Sequence, residues 1–216
     1  MDGGCLRRSP LINYHLYIKQ NYITKIYIYN FVENICFTFL GDGAVNQGQV
    51  YESYNIASLW KLPVVFVIEN NKYGMGTSVN RSSAGENLSD RGKAYGIKSE
   101  IIDGMDILAV RDAAIRAIDH CRAGKGPYIL EMKTYRYRGH SMSDPGKYRT
   151  RDEVAEMRKN GPLKALQKLI LETGFSEDEL KEIDNKIKIE VKEAADFAIE
   201  SKLPDESELL KDILIE

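Results

Sequence analysis

Two short apolar runs, Ile35-Cys36-Phe37-Thr38-Phe39-Leu40 and Val64-Val65-Phe66-Val67-Ile68, have the unbroken hydrophobic character of strands covered on both faces. Between them, residues 47–60 carry Val50, Tyr54, Ala57 and Trp60 at helical spacing, and Pro63 ends that segment. The pattern predicts strands at 35–40 and 64–69 joined by a helix, a parallel strand–helix–strand unit. Residues 74–93, rich in Gly, Ser and Asn, predict a long loop. Asp106 is placed to cap a helix running to about Arg122, with Ile107, Val110, Ala114, Ala117, Ile118 and Cys121 inward. Gly124-Lys125-Gly126-Pro127 ends it, and 128–135 predict a third strand. A polar loop follows at 137–150. The remainder reads as helical, with a Ser176/Glu179 capping box ahead of Leu180, Ile183, Ile187, Val191, Ala194 and Ala198. The fold class is therefore α/β: a three-layer parallel sheet with flanking helices over 33–150, followed by a helical C-terminal region over 151–216.

Residues 1–32 follow another rule. From Leu11 to Phe31, 16 of 21 residues are Ile, Asn, Tyr, Lys or Phe, and Tyr22–Tyr29 has high β propensity. Either this is an extra strand or hairpin, or it is AT-rich sequence never selected as protein. The lack of a Gly-bearing tight turn favours the second reading.

Composition changes the picture little. The chain of 216 residues is 43% hydrophobic with a formal net charge of -2, which gives no electrostatic reason to expect nucleic acid or an anionic membrane as partner. No apolar run approaches the roughly 20 residues of a membrane span. Three dispersed cysteines, Cys5, Cys36 and Cys121, read as reduced thiols, not as a zinc site or disulfide frame.

The candidate chemistry sits where the two apolar runs end. Gly41-Asp42-Gly43 follows the first, and Asn70-Asn71 follows the second, with Asn71 29 positions after Asp42. The carboxyl ends of parallel strands are where such sheets bind ligands. An Asp carboxylate, an Asn amide oxygen and a backbone carbonyl make an all-oxygen set suited to Mg²⁺, which shares its ligands with substrate phosphates. Gly41 and Gly43 let backbone approach a diphosphate. This spacing resembles the signature of enzymes that bind thiamine diphosphate, and so implies that cofactor and its fold.

Five segments sharpen the resemblance: 41–52, 59–63, 69–78, 103–106 and Tyr135-Arg136-Tyr137-Arg138-Gly139-His140-Ser141-Met142-Ser143-Asp144-Pro145. Over about 33–216 the chain resembles alpha subunits of the thiamine diphosphate-dependent first component of pyruvate dehydrogenase complexes. The resemblance implies that Asp42, the Asn71 side chain and the Tyr73 carbonyl ligate Mg²⁺. It implies that Gly41, Gly43 and Ala44 meet the diphosphate, and that Met75 supports the bent cofactor. His140, beside the cofactor phosphate and the active-site mouth, is the catalytic candidate. Implied too are oxidative decarboxylation of pyruvate, acetyl transfer to a lipoyl-bearing acetyltransferase, and an α₂β₂ assembly whose beta subunit supplies the activating glutamate. Core packing and loop ordering are the plainer readings for Met75 and His140.

The chain also departs from that family. Members carry well over a hundred residues before the Gly-Asp-Gly strand, including several strands, and nothing in 1–32 resembles them. The expectation is a carboxyl-terminal portion, incomplete on its N-terminal side and inactive alone. The alternatives are a non-catalytic remnant that only pairs with the beta subunit, and a branched-chain 2-oxo acid or acetoin dehydrogenase. Ser141 and Ser143 read as solvated loop serines: the serine after the matching histidine is a kinase target in mitochondrial relatives, but the loop here is shorter and lacks their second target. Location is expected to be bacterial cytoplasm, or the mitochondrial matrix if the true N-terminus is lost.

Overall fold

The computed structural model describes residues 34–159 and 161–211. The expectations placed on residues 1–32, on Cys5 and on the last residues after Lys211 lie outside the described residues. Two compact units divide the chain, one through Ala165 and one from Leu166.

Among the described residues, the first unit is built on a four-stranded, all-parallel sheet. Its strands are β1 (Cys36–Gly41), β2 (Val64–Asn70), β5 (Lys98–Asp103) and β6 (Tyr128–Lys133), in the order β1-β2-β6-β5. Helix α1 (Gly48–Leu59) joins β1 to β2, and α3 (Ile107–Arg122) joins β5 to β6. Along β2, Val64, Phe66 and Ile68 pack with Val50, Tyr54 and Ala57 of α1, while Val65 and Val67 pack with Ala113, Ala117 and Cys121 of α3. Period-two alternation thus feeds two cores, which is why β2 is apolar from Val64 to Ile68. The expected three-layer α/β architecture is present.

Asp106 caps α3 as expected, its carboxylate accepting from the N–H groups of Leu108 and Ala109 at 2.9 and 3.0 Å. The fully buried line of α3 is Ala113, Ala117 and Cys121, while Ile107, Val110, Ala114 and Ile118 flank it half-buried. Small residues along that line let the helix lie close to the sheet.

Three expectations need correction. Trp60 is 45% exposed and not inward, because α1 stops at Leu59 and the chain turns through Lys61 at φ 50°; Leu62 takes the buried place. The supposed loop 74–93 holds short elements: a two-residue ladder of β3 (Tyr73–Gly74) with β4 (Thr77–Ser78), α2 (Val79–Ser82), and the start of a 3₁₀ segment over Leu88–Tyr95. Strand β5 was not expected at all. Lys98-Ser99-Glu100-Ile101-Ile102-Asp103 is mostly polar, which an edge strand with one neighbour tolerates.

After β6 a loop over 134–150 leads to α4 (Arg151–Lys159) and α5 (Pro162–Glu172). In the second unit, α6 (Glu177–Glu200) starts at the capping box: Ser176 Oγ accepts from the Glu179 N–H, and the Glu179 carboxylate accepts from the Ser176 N–H. None of its residues is buried.

Candidate functional site

Strand β1 ends at Gly41 and β2 at Asn70. The parallel register pairs Gly41 with Glu69, so Asp42 leaves the sheet opposite Asn70, with Asn71 the next residue along the chain. Gly41 opens into free space, and Ala44 begins a 3₁₀ turn over Ala44–Asn46. The backbones of Gly43 and Gly74 come together: a Cβ built on Gly74 would lie 3.5 Å from the Gly43 Cα and 3.8 Å from Asp42 Oδ2. These glycines therefore close the corner without filling it.

Asp42 is 3% exposed. Among the described residues no side chain donates a hydrogen bond to its carboxylate, on which only its own backbone N–H acts. Burial raises its pKa, and that N–H and the positive charges of Arg136 and Arg149 offset only part of the rise. A buried carboxylate so poorly matched by hydrogen bonds has lone pairs to give a cation.

Asn71 opens the turn beyond β2. Its Oδ1 accepts from the Tyr73 N–H at 3.3 Å, which uses one of two lone pairs and leaves the other. Lys72 is left-handed at φ 72°, and Met75 at φ 54°. Both conformations disfavour a side chain, so tertiary contacts must hold them. For Met75 the contact is Arg136, whose Nη2 donates to the Met75 carbonyl at 3.1 Å. The Met75 side chain is 65% exposed.

Arg136 also joins Met75 to His140. Its Nη1 lies 3.2 Å from His140 Nδ1. A guanidinium only donates, so Nδ1 accepts and the ring proton of a neutral His140 sits on Nε2. The His140 backbone N–H donates to Asp144 Oδ2 at 2.7 Å. Tyr148 Oη donates to the same oxygen at 2.8 Å, and the Gly146 N–H donates to Oδ1 at 2.8 Å. These donors hold the Asp144 carboxyl down at about 2. Gly139 must be glycine here, since a Cβ would stand 2.3 Å from the Asp144 carbonyl oxygen. Ser141 and Ser143 are exposed, with their hydroxyls 3.0 Å apart.

Arg149 ties this loop to the strand-end turn. Its guanidinium lies 4.9, 4.5 and 5.6 Å from the ring centres of Tyr73, Tyr135 and Tyr148. It donates to the Asn71 carbonyl at 2.7 Å and to the Arg136 carbonyl. Sequence reasoning missed Arg149, Tyr148 and Asp144. Arg149 and Asn71 are 78 residues apart, and no local pattern marks such a pair.

Asp42, Gly43, Gly74, Met75, Arg136 and His140 thus form one continuous neighbourhood. Tyr73 contributes its ring to the Arg149 cage. Among the described residues there is no group of three or more His, Cys, Asp or Glu side chains placed to hold a metal. An Asp–Asn–carbonyl set is of another kind, because two of its three donors are amide oxygens.

Residues 21–207 match the dehydrogenase E1 component family, a match that opens ahead of the boundary expected near 33. The chain is 54% identical over 185 residues to the pyruvate dehydrogenase E1 component subunit alpha of Rhizobium meliloti, covering 85% of this chain and 53% of that protein. It is 57% identical over 178 residues to the subunit of the same name from Zymomonas mobilis, covering 82% and 50%. Against the mitochondrial subunit of Dictyostelium discoideum it is 48% identical over 192 residues, covering 87% and 50%. The chain spans about half the length of the curated relatives it matches. It belongs to the dehydrogenase E1 component family.

Proposed function

We propose that the corner at the ends of β1 and β2 holds Mg²⁺ and thiamine diphosphate, and that the chain works as part of an alpha subunit that decarboxylates pyruvate and passes the acetyl group to lipoyl. The observation that carries this reading is the buried Asp42 carboxylate, short of donors and pressed against the Gly43–Gly74 contact. Asp42, the Asn71 amide oxygen and the Tyr73 carbonyl would ligate the metal, and Gly41, Gly43 and Ala44 would face the diphosphate. Bound thiamine diphosphate supplies the carbanion and the electron sink for decarboxylating a 2-oxo acid.

The remaining work falls to this chain's own groups. Met75 keeps an exposed side chain at a strained φ, which fits a prop beneath the cofactor. His140, with Nδ1 occupied by Arg136, presents an Nε2–H donor suited to a phosphate or substrate oxygen. The relatives' names, as alpha subunits of a pyruvate dehydrogenase component, support pyruvate as substrate and a multi-subunit assembly. Most are bacterial, which supports a cytoplasmic location. No helix among the described residues is long and apolar enough to cross a membrane.

The test is co-expression with the partner beta subunit and a pyruvate decarboxylation assay with Mg²⁺ and thiamine diphosphate. Turnover of pyruvate by the complex would support the reading and show that these residues and the beta subunit suffice; the 216 residues alone are expected to give none. A soluble complex without turnover would favour a remnant that only pairs. Turnover of branched-chain 2-oxo acids in preference to pyruvate would overturn the substrate assignment.

A further inference from the structure

Glu131 lies in mid-strand on β6, between Leu130 and Met132, and is 0% exposed. A carboxylate in that place is strongly unfavourable unless donors meet it. Three do. Oε1 accepts from Asn70 Nδ2 at 2.8 Å and from Lys133 Nζ at 2.5 Å, and Oε2 accepts from the Ser89 N–H at 2.8 Å. Burial pushes its pKa up, but these donors outweigh burial and hold it below the ordinary value.

The contact with Asn70 leads to the functional corner. Asn70 is itself buried. Its NH₂ faces an acceptor-only carboxylate, so its Oδ1 must face the other way, where it accepts from the Lys72 N–H at 3.1 Å. Lys72 is the left-handed residue of the turn, flanked by Asn71 and Tyr73. The chain of dependence runs from Glu131 to the Asn70 amide, to the Lys72 N–H, and so to the two groups proposed to ligate Mg²⁺.

We propose that Glu131 is a positioning residue: through the Asn70 amide it fixes the left-handed turn at Lys72, and with it the Asn71 side chain and the Tyr73 carbonyl. The metal half of this statement rests on the reading of the corner given above; the relay to the turn stands on the hydrogen bonds alone. Only a carboxylate serves. Both Glu131 oxygens accept, whereas glutamine would turn an NH₂ toward the Ser89 N–H or toward Asn70 and Lys133. The second orientation makes Asn70 flip its amide, which takes Oδ1 off Lys72, while the first leaves Asn70 in place, so leucine, which offers no acceptor in either direction, is the decisive replacement. A purely structural role would act through Ser89 and Lys133 and leave the turn unchanged.

The test is amide exchange at Lys72 and Tyr73 in the full chain. Glu131→Leu should speed exchange at both by at least about tenfold, with β1 and β2 amides unchanged. Lys133→Met, which strips the same carboxylate of its cation and spares Asn70, should leave Lys72 and Tyr73 as they were. Unchanged Lys72 exchange in folded Glu131→Leu would overturn the proposal. Should that variant fail to fold, the wild-type Asn70 side-chain NH₂ decides: slow exchange supports the relay and fast exchange overturns it. In the complex with the beta subunit, Mn²⁺ affinity in the presence of thiamine diphosphate should fall about 10- to 100-fold in Glu131→Leu. Unaltered affinity beside faster exchange would overturn the metal half. A wild-type complex that binds no Mn²⁺ overturns the reading of the corner, with exchange still deciding the relay.

Discussion

Met75 holds an exposed side chain on a left-handed backbone, a combination that local energetics disfavour. Met75→Gly should therefore stabilise the chain by up to about 1 kcal/mol, the relieved strain exceeding the added unfolded-state entropy. If the side chain supports the cofactor, the same variant weakens thiamine diphosphate binding. Urea unfolding and cofactor titration on one sample read both, and a gain in stability with undiminished affinity would leave Met75 without a role. Asp42 gives a pH test. Its folded pKa lies above the ordinary 3.8, so the native chain holds the proton more tightly than the unfolded chain does. Its contribution is most favourable below 3.8 and declines as pH rises through the folded value. Wild type should lose stability relative to Asp42→Asn across that window, as read by urea midpoints against pH. Asp42 and Asn71 were legible in the sequence because each directly follows an apolar strand. Glu131 was not, because one acidic residue in an apolar strand gives no sign of partners 42 and 61 residues away.

Elements differed in legibility for a similar reason. β1, β2, β6, α1 and α3 carry their burial as a local pattern, and the caps at Asp106 and Ser176 are written within four residues. β5 and the β3–β4 ladder are set by neighbours that arrive later in the chain. The loop after β6 is held from within by Asp144, whose partners lie two to four residues away, and at long range by Arg149 on the Asn71 carbonyl. Since the folded Asp144 pKa is depressed from 3.8 to about 2, its contribution is complete above 3.8 and is lost as pH falls through about 2. Pepsin should nick residues 139–148 at pH 2 and spare them at pH 4, as peptide mapping would show. Asp144→Asn should abolish that contrast, leaving the loop open to cleavage at both. Equal resistance of the wild type at the two pH values would show that Asp144 does not fasten the loop.

On the scale of the whole molecule, the parallel sheet brings the ends of β1 and β2 to one corner, and the loop after β6 folds back over the turn beyond β2. Side chains from four separated stretches, around Asp42, Asn71, Glu131 and His140, then form one connected set. The direct test is a Mn²⁺ titration followed by electron paramagnetic resonance, on the chain co-expressed with the beta subunit, with and without thiamine diphosphate, in wild type and Asp42→Asn. The prediction is one tight Mn²⁺ per chain that requires the cofactor, weakened at least about tenfold in Asp42→Asn. Equal binding by the variant, or binding indifferent to the cofactor, would contradict it.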